Sequence, residues 1–149
     1  MEHPHNADRL IFKLLYIVKR LTDKASTAKL LQLISGDFNA TFMPYFMSIG
    51  YDGISNHDLV NKIMVTKQAV SKTVKELERL GLVYTGKSET DARSIMIYLT
   101  PEGKTLYTSI FKMAEEMTDE YVKLVGAKKY EQFIDTFLMI KEFHEEKEK

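Results

Sequence analysis

The chain has 149 residues, of which 44% are hydrophobic, so it is about one domain long and can bury an ordered core. It contains no cysteine, which excludes disulfides, thiolate zinc sites, thiol nucleophiles and cysteine-based redox sensing. The net charge is zero, yet residues 61–87 carry six basic and two acidic side chains, whereas residues 88–149 carry nine and thirteen. A basic middle segment and an acidic end therefore cancel each other.

The sequence shows no sign of membrane insertion or export. No run of about 18 apolar residues occurs, and the first residues, MEHPHNADRL, lack the apolar stretch of a secretory signal. We therefore expect a cytoplasmic protein without a membrane partner.

The first predicted element is an amphipathic helix from Asp8 to Ser35. No proline or glycine interrupts this segment, and Gly36 is expected to end it. Asp23 or Ser26 could cap a second start, so a break within the helix stays open. Apolar residues recur at spacings of three and four, at Leu10, Leu14, Ile17, Leu21, Ala28 and Leu31.

A shorter helix is predicted between Asn39 and Gly50. Its apolar face carries Phe42, Phe46 and Ile49. Pro44 is expected in the first turn or at a kink, because proline lacks the N–H that an interior turn needs.

Two capped helices follow, separated by a few residues that include Met64. Ser55, with an acidic residue three positions later, resembles a capping box. Thr66 is expected to cap a second helix from Thr66 to Leu80, which Gly81 ends. Helices joined by so short a turn indicate a helix-turn-helix. The predicted buried faces carry Leu59 and Ile63 on the first helix and Val70, Val74 and Leu77 on the second.

A β-hairpin is predicted after this motif, from Leu82–Lys87 and Ser94–Leu99. Both segments are rich in β-forming residues, and Ile95, Ile97 and Leu99 alternate with Met96 and Tyr98. The tip between them, residues 88–93, is polar and projects as a wing.

The carboxyl-terminal part is predicted to form two helices. Thr100 and Pro101 are typical of a helix start, Gly126 breaks the helix, and a last one covers about Ala127 to His144. The long helix carries an apolar stripe at Leu106, Ile110, Met113, Met117, Tyr121 and Leu124.

The expected fold is mainly α, a winged helix-turn-helix with a small antiparallel β wing and terminal dimerisation helices. We expect a single domain over residues 1–149, with a DNA-binding lobe over about 37–100. The dimerisation helices would cover about 8–35 and 101–147. The terminal stripes are more apolar than a lone monomer needs, which indicates pairing with a second copy of the chain.

The second helix of the motif offers a face suited to a major groove. At about 100° per residue, Gln68, Lys72 and Lys75 fall within roughly 60° of each other, opposite the apolar face, and Ser71 borders them. Glutamine can contact adenine through two hydrogen bonds, and lysine can reach guanine or phosphate. The alternative is an ordinary solvated helix face, but the capped helix and turn before it favour DNA contact.

The wing and the first helix of the motif supply further candidates. Arg93, with Lys87 at the other shoulder of the hairpin, could enter a minor groove, and Asp91 could hold Arg93 in place. The alternative is polar turn material. His57 lies in a first helical turn, where phosphates often bind, although a plain surface histidine fits equally. The complete set of candidate DNA-binding residues is Ser55, His57, Thr66, Lys67, Gln68, Ser71, Lys72, Lys75, Lys87, Asp91 and Arg93.

No cofactor, metal or catalytic site is predicted. His3, His5 and His144 lie near opposite ends of the chain, so a metal site would need distant ligands to converge. Methionines and phenylalanines occur mainly at core spacings. No glycine-rich phosphate loop, Ser-His-Asp set or paired carboxylates stand out, so an enzyme is disfavoured. A winged-helix module that binds proteins without binding DNA remains the alternative function.

The order of elements resembles the multiple antibiotic resistance regulator (MarR) family of winged-helix proteins. The runs that carry the resemblance are VTKQAVSKTVKELERLGLV, residues 65–83, and TDARSIMIYLTPEG, residues 90–103. These look like the recognition helix of the family, a wing with the Asp-x-Arg signature at Asp91 and Arg93, and the start of the dimerisation helix.

The resemblance implies a homodimer that binds a pseudo-palindromic operator on double-stranded DNA and usually represses transcription. Many relatives are released by small aromatic or phenolic effectors. No motif fixes such a ligand site here, so Phe42, Tyr45 and Phe46 are interpreted as core residues. The chain differs from many relatives of the family in two features. Its wing has one arginine where many relatives have several, and the absence of cysteine excludes the oxidation-sensing branch of the family.

Overall fold

The computed structural model of the chain describes residues 6–34, 37, 38 and 40–149. The predicted helix boundaries at Ser35, Gly36 and Asn39, and the histidines at positions 3 and 5, lie outside these residues. The chain divides into two compact units, one ending at Ile110 and the other beginning at Phe111. The single-domain organisation therefore stays a prediction. None of the helices in the described ranges combines the length and apolar character needed to cross a membrane.

The first long helix, α1, is uninterrupted. A short 3-10 turn at Ala7–Arg9 precedes α1, which covers Ile11–Leu33 and so begins later than predicted. The break that the sequence left open is absent. Asp23 accepts a hydrogen bond from Lys19 Nζ at 2.7 Å instead of capping a new helix, and the Thr22 hydroxyl donates to a carbonyl of the preceding turn. Both contacts lie within one continuous helix.

Most apolar side chains of α1 face solvent. Leu30 is buried with 3% of its surface exposed, whereas Leu31, on the predicted apolar stripe, is 70% exposed. The exposed large apolar side chains in the first half of α1, including its N-cap residue, are Leu10, Ile11, Phe12, Leu14, Leu15, Tyr16, Ile17, Val18 and Leu21. The helix therefore carries much more apolar surface than this unit covers.

The second helix, α2, covers Met43–Ile49 after a 3-10 turn at Ala40–Phe42. Pro44 lies in the first turn of α2, as one of the two predictions for this residue stated. The buried side chains of α2 are Phe46 and Ile49.

The helix-turn-helix is confirmed as α3, Asn56–Ile63, followed by α4, Lys67–Arg79. The hydroxyls of Ser55 and Thr66 each accept a hydrogen bond at 3.0 Å from the backbone N–H three residues later. The predicted buried side chains Leu59, Val70, Val74 and Leu77 are buried, and Ile63 is half-buried. Three apolar side chains on one face thus fix the orientation of α4.

A three-stranded antiparallel sheet forms the wing. Its strands are β1 at Ile54–Ser55, β2 at Val83–Lys87 and β3 at Ile95–Leu99, in the order β1-β3-β2. The predicted hairpin is β2 and β3, with Tyr84 opposite Tyr98. The sequence did not predict β1, because two residues are too few to show an alternating pattern. The predicted mainly α fold with a small antiparallel wing is confirmed.

The helix α5, Pro101–Val125, starts in close contact with the end of α4. The Thr100 hydroxyl donates to the Gly81 carbonyl at 2.6 Å and accepts from the Gly103 N–H at 3.0 Å. A Cβ atom on Gly103 would collide with the carbonyl oxygen of Leu82. The glycine in this position therefore permits a backbone approach that no other residue allows.

The side chains of the predicted apolar stripe of α5 differ in how much of their surface is exposed. Leu106, Ile110 and Met113 are buried, while Tyr121 and Leu124 are exposed. The stripe thus changes from buried to exposed side chains along the helix.

The last helix, α6, covers Ala127–Lys147 and extends beyond the predicted end at His144. An ion pair between Lys141 and Glu145 at 2.8 Å supports this extension, since oppositely charged residues four apart stabilise helices. The exposed large apolar side chains of α6 are Phe133, Phe137, Leu138, Met139 and Phe143.

Candidate nucleic-acid interface

One face of α4 is polar, exposed and basic. It lies opposite the buried side chains of the helix, so the residues on it reach solvent from a fixed support. A shallow groove of about 430 Å³ is lined by Lys67, Gln68, Ser71, Lys72 and Lys75. None of these three lysines forms an ion pair with any residue that the structure describes. We call these five residues the α4 face.

The one arginine among the basic residues of the segment 61–87 is paired with acidic residues. Arg79, in the last turn of α4, donates from Nη2 to Glu76 at 3.0 Å and to Asp37 at 2.9 Å. The hydrogen bond to Glu76, followed by that to Asp37, raises the pKa of Arg79 above its ordinary value. Its charge is thus partly balanced, so the free positive charge of this segment is concentrated on the lysines.

The turn between α3 and α4 has an unexpected conformation. Met64 adopts φ 56° and ψ 49°, and it is the one residue other than glycine with a positive φ in the described ranges. Its backbone N–H donates to the Val60 carbonyl, so this left-handed residue ends α3. The sequence gave no signal for this conformation, because methionine rarely adopts it.

The wing tip is ordered by its own hydrogen bonds. The backbone N–H groups of Thr90 and Asp91 both donate to Ser88 Oγ at 3.3 Å. Ser88 N–H donates to the Ser94 carbonyl at 3.1 Å, and Ser94 N–H donates to the Asp91 carbonyl at 3.0 Å. The tip is therefore a defined turn, although the side chains of residues 89–93 are exposed.

The side chain of Asp91 contacts the backbone of Arg93. Its Oδ1 accepts the Arg93 N–H at 3.0 Å, and its Oδ2 accepts the Ser94 hydroxyl at 3.3 Å. Within the described ranges the Arg93 guanidinium forms no ion pair with Asp91 or any other acid. Asp91 thus shapes the turn that carries Arg93 and leaves the guanidinium free.

A cleft of about 670 Å³ separates this tip from α3 and the start of α4. It brings together five of the predicted site residues, Ser55, His57, Lys67, Asp91 and Arg93. Sequence reasoning missed the other lining residues, Asn56, Asp58, Val60, Ser88, Thr90, Ser94 and Met96. They come from three separate segments, so no local pattern could have revealed them. The predicted site thus forms two surfaces, the cleft and the α4 face, which share Lys67.

The remaining predicted site residues have separate positions. Lys87 is exposed at the end of β2 and lines neither surface. Thr66 acts as the cap of α4. In the first turn of α3, the His57 N–H donates to Asn56 Oδ1 at 2.9 Å and the Asp58 N–H donates to Ser55 Oγ. These two amides are therefore already paired.

The region predicted to be aromatic core is a packed cluster. Phe46 is fully buried, and its ring centroid lies 5.6 Å from that of Phe38 and 6.3 Å from that of Tyr107. Phe42 and Tyr45 are half-buried. Phe46 thus has the core role that the sequence indicated.

The segment that contains these surfaces matches a known family. Residues 46–94 match the model of the MarR family. This part of the chain is therefore similar to the MarR family of winged-helix proteins, as the sequence indicated. The matched residues include α3, α4, β2 and the wing tip.

Individual relatives agree with this assignment. The HTH-type transcriptional regulator FarR of Neisseria gonorrhoeae is 31% identical over 72 residues, which are 48% of this chain and 49% of FarR. The chain spans about half the length of the curated relatives it matches.

Solved structures share the fold over most of this chain. The transcriptional regulator SlyA is 18% identical with a TM-score of 0.79, over 92% of this chain and 95% of SlyA. A MarR family regulator of Listeria monocytogenes, crystallised with a 26mer DNA, is 20% identical with a TM-score of 0.78. That match covers 90% of this chain and 88% of the other.

Proposed function

We propose that this chain is a MarR family protein and a sequence-specific DNA-binding transcriptional regulator that acts as a homodimer on a pseudo-palindromic operator. The observation that carries this proposal is the α4 face on a helix anchored by buried side chains, since its lysines are exposed and form no ion pair with any residue that the structure describes. Unpaired cations on a rigid helix suit a phosphate-lined groove. The Listeria relative crystallised with DNA supports the same role.

The chemistry of the α4 face suggests how it would read a sequence. Gln68 is suited to two hydrogen bonds with adenine, and Ser71 can donate to or accept from several bases. Lys72 and Lys75 are suited to phosphate or to the acceptors of guanine. Base selection would therefore depend chiefly on Gln68, while the lysines supply affinity.

The wing would contact the neighbouring minor groove. Arg93 is exposed at the tip and its guanidinium forms no ion pair within the described ranges, so it is available to the negative potential of a narrow groove. Lys67 lies between the two surfaces and can reach phosphate from either side. The other proposed contacts are Ser55, His57, Thr66, Lys87 and Asp91.

Dimerisation is supported by the apolar surface that the chain leaves uncovered. The first half of α1 exposes Phe12, Tyr16 and Leu21. In the second compact unit, Leu124 is 80% exposed. Several large exposed apolar side chains on one helix, such as those of α1, indicate a contact with another molecule. A second copy is the proposed occupant, since two recognition helices related by two-fold symmetry match a palindromic site.

The regulatory outcome proposed is repression in the cytoplasm, released by a small aromatic or phenolic effector. The proposed role includes no catalysis. We assign no residue to an effector site.

The test is a selection of bound sequences from random duplex DNA, with and without a panel of aromatic acids. The expected result is an inverted repeat whose half-sites lie about 10 base pairs apart, since that spacing places both helices on one side of the duplex. Loss of enrichment with an aromatic acid would identify the effector class. Absence of enrichment, with binding to random DNA abolished at about 0.2 M salt, would favour a protein-binding winged helix instead.

A further inference from the structure

His57 and Asn61 form a side-chain pair on one face of α3. They are four residues apart, which places their side chains on neighbouring turns of the helix. Asn61 Nδ2 lies 3.2 Å from His57 Nε2. An amide nitrogen only donates hydrogen bonds, so this contact is a hydrogen bond in the tautomer whose Nε2 accepts and whose ring proton is carried by Nδ1.

The other ring nitrogen is left without a partner. No hydrogen bond to His57 Nδ1 occurs within the described ranges, and the residue lines the same cleft as Lys67 and Arg93. The charged groups that line the cleft are Asp58 on α3, Lys67 on α4, and Asp91 and Arg93 on the wing tip. Two cations and two carboxylates thus line the cleft together with the His57 ring.

The backbone of α3 cannot supply all the donors that a phosphate in this cleft would need. Asn56 Oδ1 and Ser55 Oγ already accept the N–H groups of the second and third residues of α3. A phosphate would have to displace these side chains to reach the amides. The Nδ1–H of His57 requires no such displacement.

We propose that Asn61 is a positioning residue for DNA binding, because its amide orients the neutral His57 ring so that Nδ1–H donates to a phosphate oxygen in the cleft. This inference rests on the proposed function. When the ring is protonated, Nε2–H needs an acceptor, which Asn61 Oδ1 provides after rotation of the amide. Both ring nitrogens then donate, so the identity of residue 61 matters most when the ring is neutral.

The test measures how the full-length protein binds a random-sequence duplex of about 30 base pairs, since phosphate contacts do not depend on sequence. Affinities of all variants are measured at a single pH and salt concentration. Asn61→Leu, His57→Ala and the double variant are compared with the wild type. Nitrogen-15 NMR of the His57 ring reports its tautomer in the free protein.

The expected result is the Nδ1–H tautomer in the wild type and loss of this preference in Asn61→Leu. Asn61→Leu should weaken binding about three- to tenfold, the range of one ordinary hydrogen bond. On the His57→Ala background, Asn61→Leu should cause no further loss.

Two results would overturn the inference while leaving the proposed function intact. One is wild-type affinity in Asn61→Leu, and the other is a loss in Asn61→Leu that persists on the His57→Ala background. If the wild type itself does not bind the duplex, both the inference and the proposed function fail.

Discussion

The α4 face and the wing tip are held in place by different forces. Beneath the α4 face, Val70, Val74 and Leu77 are buried, so apolar packing fixes its side chains. The wing tip has no buried side chain, and hydrogen bonds to Ser88 Oγ and the Asp91 carboxylate shape it. Packing involves many contacts at once, whereas each hydrogen bond contributes only about 1 kcal/mol net.

Because of this difference, changes in the two regions should affect different properties, namely the stability of the fold and the affinity for DNA. A change beneath α4 should unfold the lobe together with its DNA contacts, whereas a change in the wing tip should alter DNA affinity and leave the fold intact. The same contrast predicts that the α4 face reads bases with little adjustment, since its orientation is set before DNA arrives.

The largest expected effect is on the support of α4. Leu77 is fully buried, so Leu77→Ala should lower the free energy of unfolding by about 2–5 kcal/mol through lost burial and a residual cavity. Urea denaturation followed by circular dichroism measures this change. Lys75→Ala, on the exposed face of the same helix, is the control and should change stability by less than about 0.5 kcal/mol. Similar losses in both variants would contradict the described packing.

Gln68 and Lys72 should differ in the kind of binding that they support. Gln68→Ala should cost about 1–3 kcal/mol on the best site and relax preference at one base pair per half-site. Lys72→Ala should weaken binding to all sequences alike and flatten the dependence on salt. Fluorescence anisotropy on specific and random duplexes measures both. If the two variants lose the same affinity on both duplexes, the role assigned to α4 is wrong.

Arg93→Ala should lower DNA affinity by about 1 kcal/mol, most strongly on sites flanked by A·T-rich DNA. A narrow minor groove has the strongest negative potential, and a guanidinium fits it better than an ammonium group. Matched duplexes with A·T or G·C flanks give the comparison, and Arg93→Lys is the control that keeps the charge. Equal losses of affinity on duplexes with A·T and with G·C flanks would contradict a contact between Arg93 and the minor groove.

The smallest expected effect is at Asp91, where positioning and charge oppose each other. Asp91→Ala removes the acceptors of the Arg93 N–H and the Ser94 hydroxyl, so affinity should fall by about 0.5–1 kcal/mol. Asp91→Asn keeps an acceptor and removes the negative charge, so its affinity should equal or exceed that of the wild type. A rise in affinity for Asp91→Ala would show that charge outweighs positioning.

Patterns within short segments of the sequence predicted most of the helices and strands. The caps at Ser55 and Thr66, the apolar spacing of α4 and the alternation in β3 all lie within short segments, and each predicted its element. The two-residue strand β1 and the left-handed Met64 have no such pattern. The sequence left a break in α1 open, and the structure shows one continuous helix in which Asp23 bonds to Lys19.

The candidate site was predictable only where one element carries it. The α4 face follows from helical spacing, so Gln68, Lys72 and Lys75 were placed on one side from the sequence alone. The cleft depends on the meeting of α3, α4 and the wing tip, and its residues Asn56 and Thr90 could not be found locally. Long-range pairing also explains why the engagement of Arg79 by Asp37 was missed.

The oligomeric state can be checked separately from DNA binding. Sedimentation at micromolar concentration should show a dimer, because the exposed apolar surface of α1 favours association. In a complex with DNA the two α4 helices should lie about 34 Å apart, one turn of the duplex. A monomer at that concentration would contradict the homodimer.

The most direct test of the central claim is the ratio of affinities of the wild type for its best selected duplex and for a random duplex, both at about 0.2 M salt. A sequence-specific DNA-binding protein should prefer the selected duplex by about a thousandfold or more, because base contacts add to the phosphate contacts that it makes with both duplexes. We expect this ratio to fall in Gln68→Ala. A ratio near one in the wild type, or no binding to either duplex, would contradict the claim that α4 reads DNA.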